Sequence, residues 1–470
     1  MRRTFSFYCR AIVATGLLVA VGGCSGPHRQ AATRPSRGAM HPAPANAAWG
    51  AGPGPAEATG GIWAWCWSKP EGNCPALIPM VWVLRREYRN PAAAVRASRA
   101  APPGRAAIFL WNVTPKLLTS PLDTCRTPAG APTNFPSPWL QTGATSIAKQ
   151  MAAFFRRFRA DGGRMDYLVI DYETGLTSWQ LTPAGVAAIE HDPRFPQLRA
   201  LLGFKHLASV MVAGPHRRKW NFLMGSVVAA ALNRAVFQPA TAVYPDLRGS
   251  NFDGAIMLPP HIAPDLNDHY QPLSCVFGNC QSPAFYGEIG GLAYTVKGGK
   301  KYGSSPFALL RYEMIYLQAV QASSRLPVVP WVANRSYAKS GRYYKELIYQ
   351  LVLRGCGELL YWNPHAAAPN AGASAADDRA LNAYLIRLRA LLGANPGPPV
   401  PVPAINWGSR LVVAARQTAG GQVLYRVTVP PSVRSVLITP YGQVVNVRGR
   451  TGFWAISPAG MRLGFTIVPG

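Results

Sequence analysis

The chain has 470 residues, of which 49% are hydrophobic and only 14% are charged, so wholesale disorder is excluded. Lys and Arg number 48 against 20 Asp and Glu, which gives a formal net charge of +28. The basic residues are scattered, and no helix-turn-helix, zinc-finger or RNA-binding signature accompanies them. We therefore expect no nucleic-acid partner.

The first residues predict export. Arg2, Arg3 and Arg10 flank a short apolar segment, residues 11–21, which is typical of a secretory signal peptide. The sequence Val-Gly-Gly-Cys at 21–24 resembles a bacterial lipobox. That resemblance implies a signal peptide over 1–23 and lipidation of Cys24, and hence a membrane-anchored lipoprotein in the periplasm or at the cell surface. An ordinary cleaved signal with an incidental cysteine is the alternative.

Residues 24–60 are rich in Ala, Gly and Pro and are predicted to form a disordered tether. Export permits disulfides. Beyond Cys24 the cysteines are 66, 74, 125, 275, 280 and 356. The close pairs 66/74 and 275/280 would leave 125 with 356, and the spacing leaves the connectivity open. No metal-ligand spacing is present, so neither a metal nor a cofactor is predicted.

Residues 61–393 alternate short apolar runs with helical patterns. We expect an α/β fold, a (β/α)8-type, TIM-like barrel, because polar and aromatic residues that suit chemistry follow several strands. A doubly wound sheet is the competing architecture. The predicted strands are 62–67, 106–113, 165–173, 240–245, 254–258, 327–333 and 357–362, with a further one at 75–84. The predicted helices are 145–160, 220–236, 306–323, 341–355 and 373–392.

The pattern changes after a Pro-rich linker at 394–404. From 405 to 470 short β-branched runs are separated by Gly, Pro and Ser. This spacing predicts a small antiparallel, β-sandwich-like domain.

An acidic strand is the sharpest chemical feature. In Asp166-Tyr-Leu-Val-Ile-Asp171-Tyr-Glu173 the two-residue period of a strand places Asp171 and Glu173 on one face, opposite Asp166. Two neighbouring carboxylates at the end of an apolar strand should push one pKa upward, which suits a general acid. A strand-end salt-bridge cluster or a helix-capping Asp is the structural alternative.

This strand resembles the Asp-Gly-x-Asp-x-Asp-x-Glu strand of family-18 chitinases, with Val169 in place of the middle Asp. The Ile-Asp-Tyr-Glu core, together with PVVPWVANRSY, YYKELIYQLVLRG and CGELLYWNP farther along the chain, is similar to hyaluronidases. Both families are (β/α) barrels that use the substrate's 2-acetamido oxygen as nucleophile. The resemblance implies that Glu173 is the general acid/base, that Asp171 orients the acetamido group, and that Trp362 forms the floor under the sugar.

Aromatic and amide side chains at predicted strand ends suggest a sugar-binding cleft, because sugar rings stack on aromatic faces. Core filling is the alternative for each Trp. The candidate substrate-binding residues are Trp362, Asn363, Trp331, Asn334, Tyr337, Trp111, Asn112, Trp65 and Tyr244.

These patterns together predict an exported, lipid-anchored glycoside hydrolase that acts on a polysaccharide. The excess positive charge makes an anionic polysaccharide or a membrane surface a candidate partner, although it is also explained by compositional bias. A non-catalytic glycan-binding lipoprotein on a degenerate barrel is the first alternative. A periplasmic assembly protein is the second.

Overall fold

A computed structural model describes most of the chain beyond residue 60. The described residues are 61–110, 124–137, 143–170, 182–203, 205–211, 215–251, 256–257, 271–272, 277–285, 305–323, 326–334, 341–364, 374–402, 404–406, 408–430, 437–438, 445–446, 452–456 and 466–468. The signal peptide, Cys24 and the tether lie outside them.

The strands before residue 393 are short and mostly buried. In chain order they are β1 (Trp63–Cys66), β2 (Leu77–Pro79), β3 (Val81–Val83), β4 (Ala107–Leu110), β5 (Thr124–Arg126), β6 (Pro132–Pro136), β7 (Tyr167–Ile170), β8 (Arg248–Asn251), β9 (Ile256–Met257), β10 (Gln271–Pro272), β11 (Ala284–Phe285), β12 (Trp331–Val332) and β13 (Glu358–Tyr361).

Two parallel sheets carry this part of the chain. One has the strand order β11-β12-β13-β1-β2, and the other has the order β3-β4-β7-β8. Met80 alone separates β2 from β3, so one extended segment, the predicted strand 75–84, forms an edge of both sheets. The mixed α/β class with parallel strands is thereby confirmed.

The residues before β11 contact β8. The backbone N–H groups of Asn279 and Cys280 donate to the carbonyl of Gly249 in β8, at 3.0 and 3.1 Å. Gly278 precedes them with φ +79°, and a Cβ there would lie 2.1 Å from the Gly249 oxygen. Only glycine permits this approach. The segment that leads into β11 therefore adjoins β8.

Helices surround the two sheets. They are α1 (Ala92–Ala100), α2 (Gly143–Ala160), α3 (Pro183–Glu190), α4 (Phe195–Leu202), α5 (Pro215–Leu232), α6 (Gln238–Thr241), α7 (Pro306–Ser323), α8 (Gly341–Leu353) and α9 (Ala375–Leu392). The predicted helix 306–323 is confirmed as α7, and its predicted inner face of Leu309, Tyr312, Tyr316 and Val320 is buried. No described helix is long and apolar enough to cross a membrane.

The strand predicted at 240–245 is wrong. Its first residues belong to α6 and a turn, and Ala240 is buried in the helical layer. The strand begins instead at Arg248, in the polar sequence Arg-Gly-Ser-Asn. A search for hydrophobic runs could not identify this strand, because it is polar. Two of its side chains, Arg248 and Ser250, form hydrogen bonds inside the fold. The predicted strand 254–258 is described only at β9, which pairs with β10.

An antiparallel sheet follows residue 404. It is formed by β14 (Val412–Gln417), β15 (Val423–Thr428), β18 (Gly452–Ile456) and β19 (Thr466–Val468) in that order, and β16 (Leu437–Ile438) pairs separately with β17 (Val445–Asn446). The predicted linker, residues 394–404, forms backbone hydrogen bonds with β14. Gly397 N–H donates to the Gln417 carbonyl, and Val400 N–H donates to the Ala415 carbonyl, both at 2.9 Å.

The five described cysteines, 66, 74, 125, 280 and 356, are buried free thiols. Cys275 lies outside the described residues. Burial raises the pKa of the Cys125, Cys280 and Cys356 thiols to about 12.

Candidate functional site

The two parallel sheets enclose a packed interior. Trp65 of β1 stacks on Tyr167 of β7, with ring centroids 4.7 Å apart. The Tyr167 hydroxyl donates to Ser250 Oγ at 2.9 Å, and Ser282 Oγ donates to Ser250 Oγ at 2.6 Å. All four side chains are buried, and the contacts join the first sheet to the second.

A charged pair lies beside this layer. Arg248 donates two hydrogen bonds to the Glu358 carboxylate, one of them 2.9 Å long, and its guanidinium lies 5.6 Å from the Tyr167 ring centroid. Arg248 opens β8 and Glu358 opens β13, so the pair marks the amino ends of the strands. These partners explain how Arg248 and Ser250 can lie inside the fold, because buried polar groups need hydrogen bonds.

Aromatic side chains meet toward the carboxyl ends of the strands. Trp67 follows β1 directly, and its ring centroid lies 4.2 Å from that of Trp82, 4.7 Å from Phe109 and 6.1 Å from Trp331. Trp82 Nε1 donates to the Trp67 carbonyl at 2.7 Å. Phe109 and Trp331 are buried, whereas Trp67 and Trp82 are partly exposed. We call these four residues the aromatic cluster.

Trp362 lies at the same end of the fold. It follows β13, its backbone N–H donates to the Val332 carbonyl at 3.1 Å, and its partly exposed side chain packs against the main core. Of the two sequence candidates here, Trp362 therefore lies at the carboxyl end of β13, whereas Trp331 is the first residue of β12 and pairs with Leu360 inside β13.

The amide of Asn363 is committed to the scaffold. Its Oδ1 accepts from Ser68 N–H at 2.9 Å, and its Nδ2 donates to the Ser68 carbonyl at 3.3 Å and to Asp378 at 3.2 Å. Asp378, in the first turn of α9, also accepts from Glu71 N–H at 2.9 Å. Asn363 is fully buried and joins the ends of β1 and β13 to α9.

Asn334 has a similar place after β12. Its Nδ2 donates to Asp377 Oδ1 at 2.6 Å, while its own buried Oδ1 has no hydrogen-bond partner among the described residues. Asp377 also caps α9 together with Ser374. The first turn of α9 therefore holds both strand-end amides, which fixes the rim of the aromatic end of the fold.

Buried hydroxyls and a thiol lie behind this rim. Burial raises the pKa of Tyr344 and Tyr361 well above the ordinary value, and burial followed by the Asp378 charge raises that of the Cys66 thiol. These groups stay neutral at physiological pH. Their side chains pack in the main core behind the site.

Two other candidates lie away from the aromatic end. Trp65 is fully buried, and its Nε1 donates to the Arg105 carbonyl at 2.8 Å. Tyr244 precedes β8 and lies toward the amino ends of the strands, where its hydroxyl donates to the Gly163 carbonyl at 3.0 Å. Neither position is at the carboxyl ends of the strands.

The acidic strand is described as far as Ile170. Asp166 accepts a hydrogen bond from Ala106 N–H at 2.7 Å and so has a structural role at the start of β7. Val169 is fully buried. Asp171, Glu173, Trp111, Asn112 and Tyr337 lie outside the described residues.

The sequence analysis selected Trp65 but neither Trp67 nor Trp82. The position of Trp67 could have identified it, because it directly follows β1 and the alternation of a strand places it on the same face as Trp65. Residues just past the carboxyl end of a barrel strand line the active site.

The described residues contain no group of three or more His, Cys, Asp or Glu side chains that could hold a metal ion.

No protein-family model and no curated protein matches the chain. Among solved structures, it is similar to an endo-β-1,6-glucanase, with 10% identity, a TM-score of 0.37 and coverage of 85% of this chain and 92% of that one. The catalytic domain of β-amylase from Paenibacillus polymyxa gives 10% identity, a TM-score of 0.39 and coverage of 70% and 99%. The catalytic domain of GH30 xylanase C from Talaromyces cellulolyticus gives 10% identity, a TM-score of 0.30 and coverage of 74% and 68%. None of the three assigns a family to the chain.

Proposed function

We propose that the protein is a glycoside hydrolase whose substrate, a polysaccharide, binds at the carboxyl ends of the parallel strands. The aromatic cluster is the observation that carries this proposal. Trp67 and Trp82 reach the surface there while buried aromatic rings hold them in place. A rigid, partly exposed aromatic face suits a sugar ring, which presents C–H bonds to it.

We further propose that residues 61–393 form a (β/α)8-type barrel. Among the described residues, the two larger parallel sheets contain eight strand segments when β2 and β3 are counted as one; the short pair β9 and β10 lies outside them. The hydrogen bonds from the Asn279 and Cys280 N–H groups to the Gly249 carbonyl support closure of the ring. In such barrels the loops at the carboxyl ends of the strands carry the active site.

Catalysis is assigned to the carboxylates that follow β7. The alternation in β7 would place Asp171 on the face of Tyr167 and Val169, which is the inner face, and Glu173 after it. In the substrate-assisted mechanism implied by the family-18 and hyaluronidase resemblance, Glu173 protonates the leaving oxygen. Asp171 orients the acetamido group, whose oxygen attacks the anomeric carbon. Glu173 then deprotonates the water that opens the intermediate.

The test is the release of reducing ends from a panel of chitin oligosaccharides, hyaluronan and neutral glucans. Glu173→Gln should lower the rate on the cleaved substrate by about 10²- to 10⁴-fold, since it removes the general acid. Glu87→Gln is the matched control, because Glu87 accepts a hydrogen bond from Leu84 N–H that a glutamine oxygen can also accept. Full activity of Glu173→Gln on every cleaved glycan would refute the assignment.

A non-catalytic glycan-binding protein is the second candidate. The observation that favours it is Val169, which stands where the chitinase motif has its middle Asp and is fully buried. This alternative predicts oligosaccharide binding without release of reducing ends by the unmodified protein.

The lipoprotein anchor and the separate folding of residues 405–470 are also proposals. Cys24→Ser should abolish incorporation of radiolabelled palmitate and move the protein from the membrane to the soluble fraction. Unchanged labelling would contradict the anchor.

A further inference from the structure

A cavity lies at the other end of the fold, near the amino ends of β1 and β4. It measures about 610 Å³, and its lining includes Gly61, Arg105, Arg389 and Asn395. Gly61 is the first residue after the predicted tether and lies two positions before β1. A Cβ on Gly61 would lie 2.4 Å from the Trp63 ring and 3.2 Å from Arg105 Nη2, so glycine keeps this side open.

Both guanidinium groups are held in place. That of Arg105 lies over the Trp63 ring, 4.3 Å from its centroid. Arg389, in the last turn of α9, donates from Nε to the Ile62 carbonyl. The two side chains are therefore oriented in advance, which lowers the entropic cost of binding a ligand.

Among the described residues, nothing compensates the positive charge of this cavity. No described residue that lines it carries a carboxylate, and neither Arg105 nor Arg389 has an ion-pair partner among the described residues. Burial, and after it the charge of Arg105, lowers the pKa of Arg389, as expected for two like charges in a partly dry site.

We propose that this cavity is an anion site that binds a phosphate group between Arg105 and Arg389. Paired guanidinium groups present their N–H donors in the geometry that phosphate oxygens accept. The cavity is also large for a lone ion, because one water molecule occupies only about 30 Å³. It has room for the group esterified to the phosphate.

Two kinds of ligand would present such a phosphate group to the cavity. One is a free phosphate or a soluble phosphate ester, and the other is the headgroup of an anionic phospholipid. The cavity opens beside Gly61, so the predicted lipid tether would leave the fold next to it. A headgroup bound there would turn the aromatic end of the fold away from the membrane.

The test uses the full chain carrying Cys24→Ser, so that no acyl group contributes to binding. Isothermal titration with inorganic phosphate should show binding, weakened about tenfold or more by Arg105→Gln or Arg389→Gln, since each removes charge-assisted hydrogen bonds. Arg96→Gln is the charge-matched control, because Arg96 is exposed on α1 and lies outside the cavity. It should leave the affinity within about twofold.

Vesicle sedimentation distinguishes the sources. If the ligand is a lipid headgroup, anionic phosphatidylglycerol vesicles should bind the parent chain but neither the Arg105→Gln nor the Arg389→Gln variant. Phosphatidylcholine vesicles should bind none of these proteins. Phosphate binding without vesicle binding indicates a soluble ligand. Equal phosphate affinity in the parent and both cavity variants overturns the proposal. Arg389→Lys, which keeps the charge, should retain intermediate affinity for phosphate. That result would show that the weaker binding of Arg389→Gln is not caused by unfolding.

Discussion

At the scale of single residues, Trp67 is the most informative side chain. It is partly exposed, and it contacts the other three members of the aromatic cluster. Trp67→Leu should weaken oligosaccharide binding by roughly fivefold, because an aromatic contact contributes about 1 kcal/mol beyond its buried area. Trp67→Phe should retain most of the affinity.

The measurement is a titration with the oligosaccharide identified by the glycan panel, corrected for the folded fraction from circular dichroism. Equal affinities for the parent, Trp67→Leu and Trp67→Phe would remove Trp67 from the site.

Buried thiols permit a second prediction at this scale. The pKa of Cys280 and of Cys356 is raised to about 12 by burial, against an ordinary value of about 8.5. Both should resist iodoacetamide at pH 8 in the folded protein and react in urea. Above about pH 8.5 the unfolded thiols ionise and the folded ones do not, so the free energy of unfolding should fall as pH rises.

Peptide mapping after a short labelling pulse checks the first part, and urea titrations at pH 7.5 and 9.5 check the second. Native labelling of Cys280 at the rate seen in urea would show that the thiol is not enclosed as described.

At the scale of elements, α8 and β15 meet through a buried ion pair. Arg426 donates two hydrogen bonds to Glu346, one of them 2.8 Å long, and Thr428 Oγ1 donates to the same carboxylate at 2.7 Å. Arg426 also lies over the Phe453 ring, 4.4 Å from its centroid. The antiparallel sheet is therefore attached to the α/β part by specific polar contacts.

Removing one partner should leave a buried charge uncompensated. Arg426→Met should lower the free energy of unfolding by about 3–5 kcal/mol, and the double variant Glu346→Gln, Arg426→Met should recover part of that loss. Arg410→Met, at an exposed position, should change it by less than about 0.5 kcal/mol. Urea denaturation measures all three. A single variant as stable as the parent would show that the pair does not hold the sheet.

The elements also show which parts of the fold the sequence could predict. Long amphipathic helices such as α2 and apolar strands such as β1 follow from periodicity and hydrophobicity alone. The strand β8 could not be predicted in this way, because the hydrogen-bond partners of Arg248 and Ser250 lie on strands that are distant in the sequence. At the candidate site, the position of Trp362 could be predicted. The engagement of Asn363 with Asp378 could not, because it depends on how α9 docks.

At the scale of the whole molecule, the fold has two chemically different ends. The carboxyl ends of the strands carry aromatic side chains, and the amino ends carry the arginine-lined cavity and Gly61, which follows the proposed tether in the sequence. This polarity would let a tethered enzyme present its binding face to an extended polymer.

Hydrogen exchange of the Glu173→Gln protein, with and without the bound oligosaccharide, tests this polarity most directly. We expect protection at residues 66–68, 82–84 and 331–334, toward the carboxyl ends of the strands. Exchange at 61–62, 103–105 and 389–395 should stay unchanged. Protection confined to the second set would contradict it, because the sugar would then bind at the arginine-lined end.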